Sequence, residues 1–200
     1  MANSTSITYR LKRKILSFTN KISLSLSKPD RKFTADMVYG ILSSKSCLLT
    51  DISDQLHESS RKANTVKRLS NHLAAGTPAS AAASYLRTVK KLVPSEPVVL
   101  IDESDVVKPD GKQFESLGIV RDGSESTQTK NVYKKGYHVT EACALTAHKH
   151  PISVFSRIHS SAEKDYKSVN TITFDAVKQA AALFGKATFV MDRGYDDKIY

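Results

Sequence analysis

The chain has 200 residues and carries 30 Lys and Arg against 20 Asp and Glu, a formal net charge of +10. That length suffices for one ordinary domain, or for a small helical domain joined to part of a larger one. The longest apolar runs, such as Val98 to Ile101, fall far below the ~18 to 20 residues of a membrane-spanning helix. The basic Arg10, Lys12, Arg13 and Lys14 precede a stretch too rich in Ser, Thr and Asn for a signal-peptide core. A soluble, cytoplasmic protein with no membrane partner is expected, and Cys47 and Cys143, which match no zinc or redox spacing, read as two buried thiols.

The charge is unevenly placed. Residues 1–97 hold 16 basic and 6 acidic side chains, whereas residues 98–200 hold 14 of each. A basic module ahead of a neutral one suggests a polyanion-binding part followed by a part with another task, and nucleic acid is the first partner to consider. The breaker Pro94-Ser95-Glu96-Pro97 sets the expected boundary between a helical DNA-binding domain, 1–97, and an α/β domain, 98–200.

Within the first part, Phe33, Met37, Val38, Ile41 and Leu42 follow helical spacing, Ile52 and Leu56 make a short second face, and Val66, Leu69 and Leu73 a third. A fourth helix over Ala79 to Leu92 turns Tyr85, Leu86 and Val89 inward. The resulting small bundle has basic outer faces that set Arg61, Lys62, Lys67 and Arg68 against phosphates, where each contact adds salt-dependent affinity and little sequence information. A solvated helix face is the plainer reading of the same cations.

The second part changes to β-type patterning. A strand over Val98 to Ile101 is expected to end at Asp102. Tyr137 to Thr146 and Ile152 to Ile158 are two further strands, antiparallel because the connection through His148 and His150 is short enough for a hairpin turn. A helix over Phe174 to Phe184, with Phe174, Val177, Ala181 and Phe184 inward, is ended by Gly185. The strand Ala187 to Met191 then ends at Asp192.

This order of strands, helix and strand-end carboxylates is that of a ribonuclease H-like mixed sheet. Carboxylates at the ends of neighbouring strands project to a common point, separated by the ~4.8 Å strand spacing or twice that. Hard oxygen ligands at that separation suit Mg²⁺ or Mn²⁺ and in-line displacement at phosphorus. Asp105 is a secondary metal candidate if the chain bends after Asp102, while Glu103 alternates to the far face. Glu141 shares parity with Val139, Cys143 and Leu145; it could stand beside the metal, with pairing to a Lys or Arg the plainer explanation. Arg193 and Tyr195 follow Asp192 closely enough to touch a phosphate.

The run Ile101-Asp102-Glu103-Ser104-Asp105-Val106-Val107-Lys108-Pro109, with Glu115-Ser116-Leu117, Arg121-Asp122-Gly123-Ser124 and Lys135-Gly136-Tyr137-His138, resembles the first catalytic block of bacterial insertion-sequence DDE transposases. Phe189-Val190-Met191-Asp192-Arg193-Gly194-Tyr195-Asp196 resembles their second block. The resemblance implies that Asp102 and Asp192 are the first two catalytic carboxylates, that Mg²⁺ or Mn²⁺ is the cofactor, and that the helical part binds double-stranded DNA at element ends. It also implies a homodimer in the synaptic complex. The family's third carboxylate, a Glu on a later helix, is not reached before Tyr200, so a truncated copy is expected. A non-catalytic DNA-binding remnant and a small nuclease using Asp105 or Glu141 remain as alternatives.

Overall fold

The computed structural model describes residues 2–192, with side chains from residue 9 onward. The chain divides into two compact units, Met1–Thr88 and Val89–Tyr200. No helix among the described residues is long and apolar enough to cross a membrane.

The first unit contains α1 (Ala2–Ile22), α2 (Lys28–Ser44), α3 (Leu49–Leu56) and α4 (Lys62–Ala75), and α5 (Ala79–Lys90) crosses the division. Ser27 caps α2, its Oγ accepting from the Asp30 amide, and Pro29 occupies the first turn, where a missing N–H costs nothing. Phe33, Ile52 and Leu69, one from each of α2, α3 and α4, form the centre of the core, with Met37, Ile41, Leu49 and Leu56 packed on it. Gly40 lets α2 and α3 approach: a Cβ there would lie 2.4 Å from Ile52 Cγ2. The stripes expected from spacing are narrower than the pattern suggested, since Leu42 and Leu73 are 58% and 50% exposed. Neither cysteine is a fully buried thiol: Cys47 is exposed and Cys143 half-buried.

A polar clasp ties the same three-helix core. Arg68 on α4 donates to Asp36 on α2 at 2.7 Å and to Glu58, beyond α3, at 3.0 Å. Lys32 bonds the same two carboxylates. Thr65 Oγ1 donates to Glu58 Oε2 at 2.8 Å. Lys32 first, with Thr65 and Arg68, holds the Glu58 carboxyl at about 2, against the upward push of its burial. A carboxyl depressed in the fold stabilises it above its unfolded pKa, and that stability is lost as pH falls through the folded value.

The second unit is a mixed α/β structure. Its strands are β1 (Val98–Val107), β2 (Gly118–Arg121), β3 (Tyr133–Leu145), β4 (Pro151–His159) and β5 (Thr188–Met191), with α6 (Val169–Phe184) between β4 and β5. β3 pairs with β1 along one edge and with β2 and then β4 along the other, all antiparallel; β5 adds to β1 in parallel. Gly136 has Val107 opposite on one side and Gly118 on the other. A Cβ at Gly136 would lie 2.5 Å from Val106 O and 2.6 Å from Val120 Cγ2. The β3–β4 turn keeps His148 and His150 exposed, with Lys149 left-handed.

Two expectations are corrected here, and one strand, β2, was not expected. β1 does not end at Asp102 but runs on to Val107, because Ser104 to Val107 continue the ladder with β3. β2 carried no apolar alternation long enough to be read. The buried side of α6 is Ile172, Thr173, Ala176 and Ala180, while Phe174 is 46% exposed. Small side chains fit the side of a helix lying close on a sheet, and the bulkier Phe174 stripe takes the outer position.

Replacing Glu58 by Gln is expected to destabilise the first unit by about 1–3 kcal/mol at neutral pH, as for a charge-assisted network. Thermal unfolding of wild type and Glu58→Gln between pH 7 and pH 2 checks this. The difference should shrink below pH ~4.5, and a difference independent of pH would remove the carboxylate from the account.

Candidate functional site

Alternation along β1 sorts its acidic residues onto two faces. Val99, Ile101, Glu103 and Asp105 share one face; Leu100, Asp102 and Ser104 share the other. On the first, Val99 and Ile101 are 0% and 2% exposed. On the second, Leu100 is 37% and Val190 of β5 47% exposed, so the surface around Asp102 is open.

On this open face Glu141 of β3 stands directly opposite Asp102. In β5, Met191 is the partner of Ile101. Asp192 is the residue that follows β5, one position beyond the last β1–β5 pair. Two carboxylates, Asp102 and Glu141, are therefore paired in one row across β1 and β3, and Asp192 follows the end of β5. Like charges facing each other across strands oppose folding, and Glu141 has no Lys or Arg partner among the described residues. The Cys143 thiol, two positions along, donates weakly to Glu141 at 3.8 Å and is pushed up, first by burial and then by that carboxylate. Among the described residues, no group of three or more His, Cys, Asp or Glu side chains is arranged to hold a metal ion.

Asp105 is not brought to this row. The bend that would move it is absent, and its Oδ1 lies 2.9 Å from Nδ1 of His138, its cross-strand partner on the covered face. The contact is close, yet Nδ1 makes no hydrogen bond. Glu103 also points away from Asp102, and its Oε1 sits 3.7 Å from His138 Nδ1 and 3.6 Å from His159 Nε2. His159 is fully buried, bonds Thr140 Oγ1 at 2.8 Å and stacks between His138 and Tyr166. Burial raises Glu103 against the pull of His138, and burial with His138 lowers His159. Sequence reasoning missed this polar cluster. His138 lies in the quoted Lys135 to His138 run, but nothing local pairs it with His159, 21 positions away.

Asp122, Gly123 and Ser124, part of the first motif block, form a turn. Asp122 Oδ1 accepts from the Ser124 amide at 3.0 Å and from its hydroxyl at 2.5 Å, and Lys134 lies 2.8 Å from Oδ2. Lys134, with Ser124, holds the Asp122 carboxyl at about 2. Its role is to close the β2–β3 connection.

The expected DNA-facing cations of the first unit differ in their circumstances. Arg61 is the exposed N-cap residue of α4. Lys62 pairs with Asp54 at 2.7 Å, both about half exposed. Arg68 belongs to the inward clasp and is not a free surface cation. Lys67 is exposed. Arg10, Arg13 and Lys14 line one surface depression of α1 together with Ser17, while Lys12 sits 4.8 Å over the Tyr39 ring. Arg193 and Tyr195 lie outside the described residues.

No protein-family model matches the chain, and no curated protein is significantly similar to it.

If the open carboxylate row is held against its own repulsion, Asp102→Asn and Glu141→Gln should each stabilise the metal-free protein by about 0.2–1 kcal/mol. Urea unfolding in a chelator reads this as a higher midpoint at unchanged slope. A lower midpoint in both variants would mean that the two carboxylates are paired with cations in solution.

Proposed function

We propose that this protein processes DNA as a DDE transposase does, with a ribonuclease H-like sheet carrying Asp102 and Asp192 and a helical unit that binds duplex DNA. One observation supports the reading: β5 pairs in parallel with β1 up to Ile101↔Met191, and Asp102 and Asp192 are the next residue of each chain segment. Strand order supports it, with β4, β3, β1 and β5 successive across the sheet. The sequence blocks around both residues support it independently.

The donor set suits a hard divalent ion, which Asp102 and Asp192 would hold through two anionic oxygens. Mg²⁺ or Mn²⁺ bound there supplies charge neutralisation at a phosphodiester phosphorus. The protein's own contribution is rigidity: Asp102 is held mid-strand, paired with Glu141 of β3 and next to Ile101, the last β1 residue paired with β5. A second reading, a metal-dependent nuclease with Glu141 as third carboxylate, is favoured by the direct Asp102–Glu141 pairing.

Two measurements test these readings. Mn²⁺ titration by calorimetry should show weakened binding in Asp102→Asn and in Asp192→Asn; unchanged affinity in both counts against the pair. Cleavage of plasmid DNA with Mn²⁺ should fall about a hundredfold or more in Asp102→Asn. Equal loss in Glu141→Gln selects the nuclease reading, and full activity there rejects it.

Phosphate contact falls to the cations that the fold leaves outward. Changing Arg10, Arg13 and Lys14 to Gln together should reduce the slope of log affinity against log salt for duplex DNA by up to about three units. Arg68→Gln should alter stability more than slope. Fluorescence anisotropy on a labelled duplex at several salt concentrations separates the two, and an unchanged slope in the triple variant would move the phosphate contacts off α1.

A further inference from the structure

We propose that the stacked pair His138 and His159 is an acid-sensitive latch, which holds the turn after β4, residues 160–168, against the sheet while His159 is neutral and releases it when His159 takes a proton. The inference is independent of the DNA reading above. The two histidines are cross-strand partners of β3 and β4, with ring centroids 5.6 Å apart. Tyr166 lies on the other side of His159, its centroid 6.2 Å away and its ring inclined by only 14°. The turn is otherwise bonded within itself: the Ser160 amide donates to Glu163 Oε1 at 2.9 Å, and the Glu163 and Tyr166 amides donate to Ser160 O and Glu163 O, each at 3.1 Å. Tyr166 is thus the ring through which the turn meets the two histidines.

The geometry leaves His159 no place for a second proton. Its ring is fully buried and Nε2 lies 2.8 Å from Thr140 Oγ1, while Nδ1 has no hydrogen-bond partner. A buried N–H without an acceptor is costlier than an unpaired lone pair, so the neutral ring carries its proton on Nε2. Charging the ring puts a proton on Nδ1, where nothing accepts it. His138 adds repulsion. Its Nδ1 lies 2.9 Å from Asp105 Oδ1 and 3.7 Å from Glu103 Oε1, within reach of two carboxylates, and a charge on His138 opposes a second charge on the ring stacked upon it. Of the other groups around His159, Glu103 Oε1 is 3.6 Å from Nε2 and Glu163 acts from the turn, both favouring the charged ring. Arg157 of β4 opposes it and is itself 3.6 Å from Asp175 of α6, whose buried side presents Ile172, Thr173, Ala176 and Ala180 and no ionisable group. Tyr166, pushed up by burial, stays neutral. Burial first and His138 second prevail and hold His159 below the ordinary histidine range. A histidine depressed in the fold binds its proton better once the turn opens, so the latch is complete above pH ~6.5 and is lost as pH falls below it.

Amide hydrogen exchange of the full chain tests this, read by mass spectrometry from about pH 7.5 to about pH 5.5 and corrected for the intrinsic pH dependence of exchange. Protection of peptides covering 160–168 should fall by up to about tenfold per pH unit below pH ~6.5, with peptides of β1 unchanged. His159→Phe keeps a ring between His138 and Tyr166 and cannot take a proton, so its turn should stay protected across the whole range. Should that variant fail to fold, NMR titration of the assigned ring protons in the wild-type chain decides, and His159 should titrate below pH ~6.5. Titration of His159 at or above that value, protection of the turn that does not change with pH, or an equal loss of protection in His159→Phe would overturn the latch.

Discussion

The second unit takes its arrangement from β3, the only strand in the described sheet that is paired with three others. Its two edges fix β1 on one side and β2 and β4 on the other, and the crowding at Gly136 leaves no room for a side chain where β1 and β2 flank β3. Once β1 is locked to β3, alternation decides the chemistry of both faces. Asp102 must face Glu141, and Asp105 must face His138. β5 is short and depends on β1, joined to it by the ladder and by the Thr188 amide donating to Pro97 O at 3.0 Å. The acidic row is thus built on the best-anchored strand of the sheet, and Asp192 follows its most weakly anchored one.

In the first unit, the positive excess hides a division of labour. Lys32 and Arg68 share Asp36 and Glu58, so two of the cations, with two of the unit's few acidic residues, hold helices together. Partly buried charge of this kind is costly to disturb and contributes little to an external field. Exposed cations such as those of α1, Lys28, Arg61 and Lys67 are left to shape the outside potential.

Much of the architecture was legible because periodicity is local. The β3–β4 hairpin, the glycine end of α6 and the core residues Phe33, Ile52 and Leu69 all follow from spacing and turn chemistry within a few residues. What could not be read depends on partners distant in sequence. β1 outruns its sequence signal because Ser104 and Asp105 are polar, yet β3 pairs with them and keeps them extended. The inward side of α6 was misread because Thr and Ala give a faint apolar signal beside Phe174. Arg68 read as a surface cation because Asp36 lies 32 positions earlier. At the candidate site the pair Asp102 and Asp192 was visible as two strand-associated carboxylates, but Glu141 as the direct opposite of Asp102 required the register.

The two faces of β1 carry similar groups at consecutive positions, Asp102 and Glu103, one toward solvent and one toward the buried histidines His138 and His159. Polarity therefore discriminates weakly between the native alignment and one slipped by a single residue at this end of the strand. The discrimination is left to the other end, where a slip would move Val99 and Ile101 out of the core and Leu100 into it. Fidelity of the acidic row thus rests on the aliphatic side chains Val99, Leu100 and Ile101, and a polar substitution at Val99 or Ile101 would weaken the hold on the alignment while leaving every carboxylate in the sequence.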